Sequence, residues 1–279
     1  MSSGSRSSCS RAAGISGRWR APPSSKGHVD PGAILAPGVR VGPGAAVGAG
    51  VCLREDCEVG AHAILEGPAV LGPGCRVFPG AVIGAEAQVV KLKGPGGGLE
   101  VGGGTVVREA ATVHRSMHEG KTTRVGADCY LMVGSHVAHD CQVGDRVILS
   151  NGIALGGHVE VGDDCFVTNF IGVHQFVRIG PGVLLAGPSG VRKDVPPYTT
   201  VEGHPPRVRG LNVVGLRRRG VPAEVRAHLK RAYRILFQEA KTAAEAAARI
   251  EAELPAGREI QTVIQFIRSS ERGIYQGAV

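Results

Sequence analysis

Aromatic side chains make up only 4% of the 279 residues, with a single Trp and six Phe. Spread this thinly, they form no platform on which bases could stack, so no nucleic-acid partner is expected despite a net charge of +8. No apolar run approaches the ~20 residues of a membrane-crossing helix, which leaves no transmembrane segment. There is no CxxC pair among the seven cysteines, and with it goes the usual spacing of a structural zinc site. The thiols read as small buried groups in a reducing compartment.

What is abundant is Gly, at 43 residues, and an aliphatic side chain at every sixth position. Counting by six from Val29 through Leu65, Leu131, Val137, Leu155 and Val173 to Val191 gives 28 positions, of which 26 are aliphatic; only Pro95 and Glu119 break the series. Such a hexapeptide repeat predicts a parallel β-helix, because each short strand can bury its apolar side only against its neighbours. The next residue is often Gly, as at Gly42, Gly60, Gly126 and Gly162, where a corner turns. Four after the aliphatic comes a small residue, and Cys57, Cys75, Cys129, Cys141 and Cys165 all fall there. Three repeats complete one turn, so residue i + 18 lies over residue i, about 4.8 Å away.

The repeat divides the chain. Residues 1–27 are rich in Ser and Arg, have no acidic residue and too few apolar ones to form a core; a disordered extension or an organelle transit peptide is expected. Residues 28–198 carry the coils, with two phase-preserving loops expected near 90–100 and 114–124. Residues 199–279 read as a helical domain, entered by a basic link at 210–220. Three helices are expected: from Pro222 to about Lys241, from a capping box at Thr242 and Glu245, and from Glu259 to about Ser270 with Ile260, Val263, Ile264 and Ile267 on one face.

Function is concentrated in three histidine motifs. His136-Val137-Ala138-His139-Asp140 places two imidazoles beside a carboxylate. Eighteen residues beyond His139 is Gly157, next to His158, and eighteen further is Gln175, next to His174. The three motifs therefore stack along one edge of the prism in successive coils. An apolar wall has no need of an imidazole ladder. Either a metal held by three imidazoles or a histidine base oriented by a carboxylate could use it. The base is favoured and no metal is assigned.

Together with Asp194-Val195-Pro196-Pro197-Tyr198 and the segment Asn212 to Gly220, these motifs resemble the bacterial UDP-N-acetylglucosamine O-acyltransferases that begin lipid A biosynthesis. The resemblance runs from residue 28 to about 275. It implies a left-handed parallel β-helix, against the usual right-handed crossover, with a C-terminal α-helical domain, assembled as a homotrimer. It implies transfer of a 3-hydroxyacyl group from acyl carrier protein to a UDP-amino sugar, with no further cofactor. His139 would be the base, Asp140 its support and Gly157 the oxyanion donor. Gln88, Lys91, His136, His158, His174, Gln175, Asn212, Arg218 and Arg219 would bind substrate, and Gly187 would mark the end of the acyl chain. A cytoplasmic enzyme is implied, or an organellar one if residues 1–27 are a transit peptide.

Two residues depart from the family pattern: Val89 and Val214 stand where acidic residues are expected. Other readings are a hexapeptide acyltransferase for a different nucleotide amino sugar, a zinc carbonic anhydrase-like trimer and a non-catalytic scaffold. The carbonic anhydrase needs three imidazoles meeting at one point, whereas the 18-residue spacing spreads them along an edge.

Overall fold

The computed structural model describes residues 27–277, so the Ser/Arg-rich extension lies outside the described residues except for Gly27. The chain folds into three faces of nine, eight and ten strands, parallel except for the last strand of the third face and most of them two residues long. Successive coils stack eighteen residues apart: Val137 pairs with Leu155, and Leu155 with Val173. The chain is a left-handed parallel β-helix.

The periodic aliphatics fill the prism; Leu131, Val137, Leu149 and Leu155 are completely buried. The five cysteines of the small position are buried and free. Their thiols also donate to carbonyls of the next coil, as from Cys141 to Gly156 O at 3.2 Å and from Cys165 to Gly180 O at 3.1 Å. A thiol thus fills a narrow corner and partners a carbonyl there.

Both excursions keep the phase. Leu99 lies over Ala69, thirty residues away, and Thr123 over Leu99, twenty-four away. The loops add twelve and six residues to the eighteen of a coil. They are shorter than the sequence suggests, because Gly98–Val101 and Thr122–Val125 are strands held by that register.

The C-terminal region corrects the expectation of helices alone. Thr199–Glu202 continues the third face, and Arg207–Leu211 returns antiparallel to it, burying Val201 and Val208. The basic link contains a short helix, α1 (Val213–Arg218), because Asn212 caps it by accepting from Gly215 N at 2.9 Å. Then come α2 (Ala223–Arg234), which continues into a π-helical turn (Ile235–Glu239), α3 (Ala243–Glu253) and α4 (Arg258–Arg268). Thr242 accepts from Glu245 N at 3.1 Å, as the capping box requires. Glu245, however, reaches back to Lys241 N. The helices bury Leu229, Ile250, Val263 and Ile264 in a core of their own, and Phe237 packs against both cores.

Leu131 has no alternative contacts if truncated, since its neighbours are strands held by their own layers. Leu131→Ala is expected to cost about 2–5 kcal/mol, partly through the cavity left behind, measured as a shift in the urea unfolding curve.

Candidate active site

His139 and Asp140 form the corner after the His136–Val137 strand, between the first and second faces. Asp140 adopts φ +60°, in the left-handed region where Asp is better tolerated than most side chains. Its backbone N–H donates to Thr123 Oγ1 at 2.7 Å, which anchors the turn. Its Oδ2 lies 2.8 Å from His139 Nδ1, and the side chains are 7% and 14% exposed. Ser116 donates to Oδ1 at 2.5 Å and Met117 N–H to Oδ2 at 3.2 Å. Burial alone would raise the Asp140 pKa. The Ser116 hydroxyl, His139 and the Met117 amide outweigh it and hold the carboxyl below its ordinary value. The carboxylate therefore accepts from Nδ1, a tautomer assigned from this hydrogen bond, and leaves Nε2 as a lone-pair base.

The His139 ring lies against Gly157 one coil later. A Cβ on Gly157 would sit 2.5 Å from His139 Cε1 and 2.7 Å from Nε2, so only glycine admits the ring here. This position, two after the inward aliphatic, is Pro in other coils: Pro37, Pro43, Pro73 and Pro181. Proline is tolerated because the turn makes no use of that N–H. In the Gly157 coil the N–H is present, and among the described residues nothing accepts from it.

The ladder continues as the 18-residue spacing predicts. His158 (φ +61°) and Phe176 (φ +62°) repeat the Asp140 corner, their rings stacked 4.5 Å apart with planes 5° from parallel. Burial lowers the His158 pKa, against the opposing pull of Asp140. Gln175 and His174 follow, exposed, and Arg272 Nη2 approaches His174 Nδ1 to 3.3 Å. A cleft of about 760 Å³ runs from Asp140, His158 and Phe176 to Asp194 and Arg272. On the adjoining first face, His136 Nδ1 is 2.8 Å from Thr112 Oγ1, and its ring is 5.2 Å from that of His114. Burial, followed by His114 and His139, lowers its pKa to about 4.

The remaining expected site residues lie elsewhere in the chain. Gln88 and Lys91 are exposed on the first loop. Asn212 Nδ2 donates to Gly182 O at 3.1 Å, and Arg219 Nη1 is 3.7 Å from Asp164, both at the edge between the second and third faces. Arg218 is exposed beside them. Gly187 (φ +76°) turns the corner between the third and first faces, and a Cβ there would touch nothing within 4 Å. The chain thus distributes these residues over different edges.

Ser116, Thr112, Thr123, His114, His118, Phe176 and Arg272 were not expected from the sequence. Ser116 and Thr112 carried a usable signal. Across the six-residue excursion one coil measures twenty-four residues, which places Thr112 on His136 and Ser116 on Asp140. The second loop also sets His118 beside Asp140 and His158, whose ligand atoms all lie within 4.8 Å of one another, a grouping that motif spacing had hidden.

Comparison with known proteins gives consistent matches. The family model for UDP-N-acetylglucosamine O-acyltransferase, domain 2, matches residues 194–275. An acyl-[acyl-carrier-protein]–UDP-N-acetylglucosamine O-acyltransferase of Syntrophobacter fumaroxidans is 47% identical over 176 residues, covering 62% of this chain and 68% of that protein. The crystal structure of a UDP-N-acetylglucosamine acyltransferase from Bacteroides fragilis matches with a TM-score of 0.86 at 34% identity, over 89% of this chain and 98% of that one. The Arabidopsis UDP-N-acetylglucosamine acyltransferase matches with a TM-score of 0.72 at 31% identity, over 92% of this chain and 100% of that one.

The depressed pKa of His136 has a consequence for stability. Unfolded, the imidazole takes up a proton below its ordinary value of 6.5; folded, it does so only near 4. Between these values the unfolded chain binds more protons, so stability rises with pH across this window. Denaturation midpoints measured from pH 4 to 7 should show that rise, and His136→Asn should flatten it.

Proposed function

The chain belongs to the UDP-N-acetylglucosamine O-acyltransferase family, and from that premise we infer that it transfers a 3-hydroxyacyl group from acyl carrier protein to the 3-position of UDP-N-acetylglucosamine, the step that opens lipid A biosynthesis. This takes precedence over a different nucleotide sugar, a carbonic anhydrase or a scaffold.

The observation that carries the mechanism is the chain Ser116–Asp140–His139, with the imidazole lying against Gly157. Neutral His139 takes the proton of the sugar 3-hydroxyl through Nε2. The imidazolium that forms is stabilised by Asp140. The alkoxide oxygen bonds to the thioester carbon, and the unused Gly157 N–H supports the developing oxyanion. The C–S bond then breaks, and His139 returns the proton to the carrier thiolate. No cofactor enters this sequence. His136, kept neutral, His158, His174 and Gln175 line the approach, and Gly187 leaves room for a long acyl chain.

Asn212, Arg218 and Arg219 serve the nucleotide. Arg219 Nη2 is buried with no acceptor among the described residues, a donor that a phosphate would satisfy. These residues occupy another edge from His139, so a site using both draws them from two copies of the chain. A homotrimer with sites in the clefts between subunits meets that need through closed symmetry. Exposed Lys91, Lys93, Arg217 and Arg218 suit an acidic carrier protein. Among the described residues no helix is long and apolar enough to cross a membrane, and we place the enzyme in the cytoplasm.

His139→Ala should lower kcat/KM by 10² to 10⁴, on the order of what a positioned base provides, or roughly 3–5 kcal/mol of transition-state stabilisation. Asp140→Asn keeps the proton acceptor and should lose less. An acyl-transfer assay with both substrates checks this; a folded His139→Ala protein within tenfold of wild type refutes the assignment. Sedimentation at micromolar concentration should give a trimer, and a monomer would contradict the shared site.

A further inference from the structure

We propose that His118, Asp140 and His158 form a site for a divalent transition-metal ion of the zinc class, and that its occupation switches the transferase off.

The three residues reach one point by different routes. His158 is fixed by its corner and by the Phe176 ring stacked on it at 4.5 Å. Its Nε2 is 3.9 Å from Asp140 Oδ2. The Asp140 side chain is 7% exposed and held by Ser116 and Met117. His118 stands on the exposed second loop, its ring centroid 5.9 Å from that of His158. The ligand atoms of all three lie within 4.8 Å of one another. Zinc bonds to imidazole nitrogen and carboxylate oxygen at about 2.0–2.2 Å. Tetrahedral ligands at that length need to draw together by roughly an ångström, and a loop side chain such as His118 can supply the movement. Two imidazoles and one carboxylate form a donor set zinc accepts, with water as the fourth ligand. Lys121 opposes a cation there, whereas the Asp140 carboxylate favours one.

Inhibition follows from the shared oxygen. Asp140 Oδ2 is the atom His139 Nδ1 uses at 2.8 Å. A metal ion on it withdraws the partner that orients the base and places a positive charge beside the imidazole that must become cationic. This half of the proposal rests on the acyltransferase reading; the binding half does not.

The test uses the full-length, untagged protein stripped of metal. Zinc affinity is read by competition with a chromophoric chelator in the absence of substrate, and initial acyl-transfer rates are read across the same zinc concentrations. We expect one zinc per chain, rates falling as the site fills, and recovery on adding excess EDTA. His118→Ala, outside the substrate and base machinery, should keep the metal-free rate and weaken both binding and inhibition at least tenfold. Magnesium should do neither. Zinc affinity unchanged in His118→Ala, or no competition with the chelator, overturns the site. Binding without loss of rate overturns the switch. Because binding is measured without substrate, an enzyme inactive on these substrates would still report on the site.

Discussion

Successive layers of the prism are held together by main-chain hydrogen bonds, and these form only while matching positions, eighteen residues apart except where a loop leaves the coil, stay one over the other. The aliphatic at every sixth position enforces that register, since a slip of one residue would turn the whole ladder outward into water. All else depends on it. The corner at His139 can lie against Gly157, and Asp140 below His158, only because the coils do not slide. A rigid stack of two-residue strands thus sets an imidazole–carboxylate pair against a glycine whose backbone N–H makes no hydrogen bond among the described residues.

The fold was legible because a solenoid repeats its own instruction. Twenty-six aliphatics in twenty-eight positions leave little else for the chain to do. The imidazole ladder was legible for the same reason, since adding eighteen is enough to find it. What supports the ladder was not. Ser116, Met117 and His118 lie on an excursion, and their place is set by where the loop returns. The C-terminal strands escaped notice because Val201 and Val208 lack a repeating partner in sequence. Asn212 reads as a nucleotide-binding residue, yet in the fold it caps α1 and donates to Gly182, a local role that the family motif does not reveal.

Two neighbouring imidazoles are treated differently by the same edge. His136 is buried and has His114 and His139 beside it, so it stays uncharged and hydrogen-bonded to Thr112. His139 has a carboxylate that is itself satisfied by a hydroxyl and an amide, so it can accept charge without leaving its place. Such unequal surroundings are what the proposed division between binding and proton transfer requires. The glycine beside His139 continues the same logic, because a Cβ at Gly157 would displace the ring.

The two excursions add twelve and six residues to coils of eighteen, and both rejoin the stack in phase. Chain-closure entropy grows only with the logarithm of length, so these additions cost about 0.5 kcal/mol or less each. Core packing, by contrast, penalises a single methylene. A coil is therefore almost indifferent to how much chain leaves it, provided the chain returns in register. New side chains such as His118 can be delivered to the Asp140 corner from outside, and the prism that carries the corner need not be rebuilt.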